Sequence, residues 1–137
     1  MKRRSALLLP TLLYGCATDE HLAIAEAEVP RFHEQYNKQQ FEQIWFHATT
    51  QFQNNHPREN FTALLASANS SLGEHRNSVR SGWQVLYQEG VAQVNLSMRS
   101  TFQKGDAMET IGFRVESGHA FLVTYICNSP LLQGHGA

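Results

Sequence analysis

A chain of 137 residues has room for one domain, at about 100–200 residues each. Its 42% hydrophobic and 17% charged residues, with eight Phe, four Tyr and two Trp, exclude a disordered or low-complexity chain. The net charge of −1 leaves no basic excess to neutralise phosphates, so nucleic acid is not an expected partner.

The first element in the chain reads as a leader. Lys2, Arg3 and Arg4 form a positive n-region before a short apolar run over residues 5–13. That run is far below the ~20 residues of a membrane-spanning helix, and the layout is that of a secretory signal peptide over residues 1–15. It ends in Leu13-Tyr14-Gly15-Cys16, which resembles the lipobox of bacterial lipoproteins through Leu13, Gly15 and Cys16. The resemblance implies that Cys16 is acylated with palmitate-type chains, becomes the mature N-terminus and anchors the chain in the membrane. Ala17, in place of Asp, implies delivery to the outer membrane, facing the periplasm. Residues 16–20 are then the lipidated cysteine and a tether, about 14 Å when fully extended, and residues 21–137 a single domain. Without its leader the chain loses three of its eleven basic and none of its twelve acidic residues, which leaves −4.

Helical spacing comes next. Leu22, Ala25, Val29, Phe32 and Tyr36 form one apolar stripe, interrupted by Pro30, which predicts a kink or a restart there. Phe41, Ile44 and Trp45 predict a short second helix, and Asn54-Asn55-His56-Pro57 a turn. Pro57 is placed to open a third helix with Phe61, Leu64, Leu65, Ala68 and Leu72 on its inner face and Gly73 as its stop.

From Arg76 the period becomes two. Val79, Trp83, Val85 and Tyr87 share a parity, and Glu89-Gly90 turns the chain into a strand carrying Val94, Leu96, Met98 and Phe102. Lys104-Gly105-Asp106 turns into a third strand with Ile111, Phe113 and Val115, and Ser117-Gly118 into a fourth. Residues 120–127 are apolar on both parities, which predicts a strand covered on both sides. The fold class is therefore α+β, with N-terminal helices packed on an antiparallel sheet of about four strands.

The chemistry-bearing residues are few. No CxxC, HxxxH or GxSxG pattern occurs, so no catalytic set, metal or cofactor is expected. The seven histidines are dispersed and read singly as surface or capping residues. Cys127 sits in the most apolar run and reads as a buried structural thiol. Glu109 shares parity with Ile111 and Phe113, which would aim its carboxylate inward. The leading expectation is a strand-end carboxylate reaching solvent at the rim. An ion pair with Arg76, Arg80 or Arg99, or a functional base or ligand anchor, are the alternatives. Tyr125, Trp83, Tyr87 and Arg80 are open to a pocket role or to core and surface roles.

The order of elements resembles the cone-shaped nuclear-transport-factor-two-like superfamily, and more closely bacterial lipoproteins with an uncharacterised domain of that superfamily. The resemblance spans residues 23–132. Its carriers are Phe32-His33 through Asn37, Glu59-Asn60-Phe61, Ser81-Gly82-Trp83, Gln103-Lys104-Gly105, Glu109-Thr110, Phe113-Arg114-Val115 and Tyr125 with Asn128-Ser129-Pro130. It implies a curved sheet wrapped over helices and assigns no catalytic residues. The expected function is a membrane-anchored, non-catalytic binding or interaction module, with a protein partner or a homodimer through the sheet. The alternative is a small pocket enzyme of the isomerase or dehydratase type, using Glu109 as base and Tyr125 as hydrogen-bond donor.

Overall fold

The computed structural model describes residues 2–132, with side chains from residue 17 onward. The Cys16 thiol and residues 133–137 lie outside what is described. Four α-helices precede four strands: α1 (Lys2–Asn37), α2 (Phe41–Phe46), α3 (Thr50–Asn55), α4 (Arg58–Leu72), β1 (His75–Gln88), β2 (Val91–Phe102), β3 (Asp106–Glu116) and β4 (His119–Asn128). A 3-10 turn over Pro130–Leu132 closes the described chain. The strands form one curved antiparallel sheet in the order β1-β2-β3-β4, so the class is α+β as the periodicity predicts. Among the described residues no helix is long and apolar enough to cross a membrane.

α1 buries Ala25, Val29, Phe32, His33 and Tyr36 against the sheet. The helix continues through Pro30 without a restart. Pro30 lies on the exposed side, and the inward residues before and after it hold both halves of the helix against one surface. Residues 17–20, expected as a tether, continue the same helix. The short α3 has no counterpart in the sequence reading, because its six residues bury only Phe52 and show no period. Its start is set by Thr49, whose hydroxyl accepts from the Phe52 N–H at 3.1 Å, and it takes Asn54 and Asn55 out of the expected turn. α4 runs as predicted from Pro57 to Gly73 and buries Phe61, Leu65, Ala68 and Leu72, but Leu64, expected on the inner face, is exposed.

The two-residue hairpins Glu89-Gly90 and Ser117-Gly118 have positive φ at both positions, the twist that joins tightly paired strands. β1 departs from its expected single inner face. A bulge between Arg80 and Gly82 shifts its parity, so Val79 pairs with Arg99 on the outer face while Trp83 pairs with Leu96 on the helix side. Both Val79 and Trp83 remain about half exposed at the sheet edge. β4 is also corrected: it is an edge strand, and of its apolar residues only Leu122 is fully buried while Ile126 is exposed. The inner faces of β2 and β3 meet the helices through Val94, Leu96, Ile111 and Phe113.

Gly73 joins α4 to β1 where the β2–β3 loop crosses: Gln103 N–H donates to the Glu74 carbonyl at 2.7 Å and Lys104 N–H to the Leu72 carbonyl at 2.8 Å. Gly73 has φ +78°, and an added Cβ would lie 2.8 Å from the Gln103 Cβ. Gly73→Ala is expected to destabilise the fold by about 1–3 kcal/mol, from a backbone conformation nearly confined to glycine. Urea unfolding with an unchanged slope checks this, and a change below ~0.5 kcal/mol would refute it.

Candidate functional site

Glu109 lies mid-sheet on the helix side of β3, paired with Met98 on one strand and Cys127 on the other. That register brings Ser100 of β2 and Tyr125 of β4 within reach, one inward position away on each neighbour. α1 supplies His33 from directly above, where its apolar stripe passes over the sheet.

The carboxylate is only 1% exposed and is fully engaged. His33 Nε2 donates to Oε1 at 2.8 Å, Ser100 Oγ donates to the same oxygen at 2.5 Å, and the Tyr125 hydroxyl donates to Oε2 through a short bond. Burial alone would raise the Glu109 pKa, yet these donors hold it below the usual carboxylate value. The same arrangement drives the Tyr125 phenol well upward, through burial first and then the adjacent negative charge. The rim position expected for Glu109 is thus corrected. So is the arginine pair: Arg80 instead bonds Glu26 of α1 at 2.5 Å, and the partner of Glu109 is a histidine.

The hydrogen bonds continue around a second path. His75 Nε2 meets Ser78 Oγ at 2.6 Å, and Ser78 Oγ meets Ser100 Oγ at 2.6 Å. A carboxylate offers only lone pairs, so Ser100 spends its single proton on Glu109 and must accept from Ser78. Ser78 in turn accepts from His75, which places the proton of neutral His75 on Nε2. The His75 ring stacks on His33 with centroids 3.5 Å apart and planes 6° apart, which closes the circuit. Burial, then the neighbouring His33, lowers the His75 pKa from 6.5 to about 4.

His33, His75 and Glu109 bring potential metal-ligating atoms within 4.8 Å of one another. The stack does not suit a shared ion. Metal–nitrogen bonds of about 2.1 Å lie in the imidazole plane, and an ion in the plane of one ring would stand roughly 3.5 Å out of the plane of the other. The geometry supports a hydrogen-bonded couple.

A groove of about 630 Å³ opens between α1 and β1, with His33 and His75 at its inner wall and Asn37, Lys38, Arg76 and Arg80 among its other lining residues. Glu109 and Tyr125 are not among the lining residues; they sit behind the histidines. Trp83, expected as a pocket candidate, stands half exposed away from the groove. Cys127 is half-buried rather than fully buried, and desolvation followed by Glu109 pushes its thiol up to about 11. The sequence reading brought Glu109 and Tyr125 together but missed His33, His75, Ser78 and Ser100. Two of these carried a signal: His33 is four residues after Val29 on the helix stripe, and Ser100 shares parity with Met98 and Phe102.

No protein-family model matches the chain, and no curated protein matches it.

Two outcomes are expected from this network. Glu109→Gln places an amide against three donors and should destabilise the protein by about 3–5 kcal/mol, as for a broken buried pair. Denaturant unfolding measures it, and a loss below ~1 kcal/mol would mean the carboxylate is not held as described. His75 has a lowered pKa, so the unfolded chain takes up its proton first as pH falls; stability is full above about 6.5 and declines toward 4. Glu109 is also lowered and adds a further loss below 4.5. A His75→Phe protein should lose the part of the decline that lies between 6.5 and 4, measured as Tm against pH.

Proposed function

We propose that this chain is a lipid-anchored protein of the cell envelope, held at the outer membrane through Cys16, whose α+β domain acts as a non-catalytic binding or interaction module. Its fold in this reading is nuclear-transport-factor-two-like. The observation that carries the proposal is the state of Glu109. A general base must face its substrate, whereas this carboxylate is buried behind the groove wall, accepts three hydrogen bonds, and Tyr125 spends its proton on one of its oxygens. The ligand-facing surface is then the groove between α1 and β1, where charged and amide side chains surround the two histidines.

A second reading, a pocket enzyme of the isomerase or dehydratase type, draws on one observation. His33 reaches the groove with its Nε2 proton directed at Glu109, so a substrate in the groove would meet an imidazole oriented by a carboxylate. In that case His33 would face the substrate, and Glu109 and Tyr125 would act behind it.

Mass spectrometry of the mature N-terminus, with partner capture by crosslinking in intact envelopes, tests the proposal. The expected results are an acylated Cys16, release or lack of processing in Cys16→Ser, and a partner captured equally well by Tyr125→Phe. An unmodified terminus elsewhere would overturn the anchor. Turnover of a small ketone or ester that Tyr125→Phe abolishes in the folded protein would favour the enzyme.

A further inference from the structure

β1 is the first strand of the sheet, so among the described residues one side of its backbone has no neighbouring strand. Along that edge lie four exposed apolar side chains. Trp83 and Tyr87 are 49% and 54% exposed on the helix side, and Val79 and Leu86 are comparably exposed on the outer side. An isolated exposed leucine is ordinary, but two aromatics on one face and two aliphatics on the other give this free edge an apolar border.

The N-terminal part of α1 passes this border. The Tyr87 hydroxyl lies 3.1 Å from His21 Nδ1 and 3.3 Å from Thr18 Oγ1. α1 runs antiparallel to β1 from there: Glu26 meets Arg80, and Asn37 exchanges two hydrogen bonds with the His75 backbone. Cys16 precedes Thr18 by two residues, about 3 Å along a helix axis. An acyl anchor on Cys16 would therefore enter the bilayer next to Tyr87, at one end of the apolar border.

We propose that the β1 edge, through Trp83, Leu86 and Tyr87, rests on the headgroup region of the bilayer beside the Cys16 anchor. This rests on the lipid-anchor reading. Trp and Tyr combine an apolar ring with a polar tip, which suits the boundary between acyl chains and water. Asp19, Glu20 and Glu89 lie at this end of the molecule, on α1 next to Thr18 and at the β1–β2 hairpin, which favours a zwitterionic surface over an anionic one. The anchor supplies the local concentration, so the edge needs only weak affinity of its own. In this pose the groove between α1 and β1 opens next to the membrane-facing edge, because its lining residue Arg80 is three residues before Trp83 on the same strand.

The test uses the protein extracted from envelopes and reconstituted into phosphatidylethanolamine–phosphatidylcholine vesicles carrying acyl chains brominated near the headgroup. The Trp83 signal is the emission difference between the protein and its Trp83→Phe variant, which removes the contribution of Trp45. The expected result is a blue shift and quenching of that signal, both absent for Cys16→Ser protein mixed with the same vesicles. If the terminal mass shows no acylation, the anchor reading fails separately. The full chain carrying Cys127→Ala is then coupled through Cys16 to a maleimide lipid and must show the same shift and quenching. An unshifted, unquenched Trp83 in an anchored form overturns the membrane contact. So does a Trp83 already shielded in the unanchored protein at a sedimentation mass of two chains, which would assign the edge to a second copy.

Discussion

The structure turns on one buried carboxylate. A charge removed from water costs several kcal/mol unless donors replace its hydration, and Glu109 receives three of them from three different elements. Ser100 and Tyr125 come from flanking strands, whose register already sets them near. His33 comes from α1, some 76 positions earlier in the chain, so satisfying Glu109 also fixes where α1 sits on the sheet. Apolar contacts alone would tolerate a sliding helix, because Ala25, Val29 and Phe32 could meet other rows of the same apolar face. A directed hydrogen bond to one oxygen does not slide. The stack of His33 on His75 and the path through Ser78 and Ser100 add β1 to the same anchor.

The fold was legible where periodicity is long. α4 reads from Pro57 to Gly73 because five apolar residues repeat on one face between a start and a stop, and β2 and β3 read because alternation runs through ten or more residues. Legibility failed where structure depends on a partner. The bulge after Arg80 leaves no trace in the pattern of Val79, Trp83, Val85 and Tyr87, yet it moves Val79 to the opposite face. β4 is apolar on both parities, which reads as a central strand, and only the strand order shows it at the edge. Pro30 reads as a kink or a restart, and tertiary burial on both sides of it keeps one helix without a restart.

The site was half legible for a related reason. Parity pointed the Glu109 side chain inward, but nothing along β3 says which donor waits there. Its neighbours in space are a helix residue far away and two strand residues set by register, so the sequence points first to solvent at the rim and second to an arginine. The alternative, an arginine, would have brought a fixed charge and up to five donors. Histidine instead brings a single proton to this oxygen and a flat face for stacking, which lets a second histidine fit into the same volume. Ser78 and Ser100 read as polar interruptions of strands, and only their mutual contact shows that they carry a directed chain of protons.

That directedness bears on what the groove can do. Each hydroxyl in the path from His75 to Glu109 has its proton assigned by the acceptor ahead of it, so reversing any one bond would leave two donors facing each other or a lone pair facing the carboxylate. The circuit is thus rigid in its present protonation, and cooperative polarisation strengthens it. A rigid inner wall suits recognition: the two rings lie at fixed positions behind Asn37, whose amide is itself held by the His75 backbone at both ends. Adaptability is left to the long side chains of Lys38 and Arg76, which can reorganise around a ligand at little cost to the core, while Arg80 is tied to Glu26 of α1. In the binding-module reading, a fixed wall with charged edges would select a partner by shape at the bottom and by charge at the entrance, without releasing the carboxylate that keeps α1 in place.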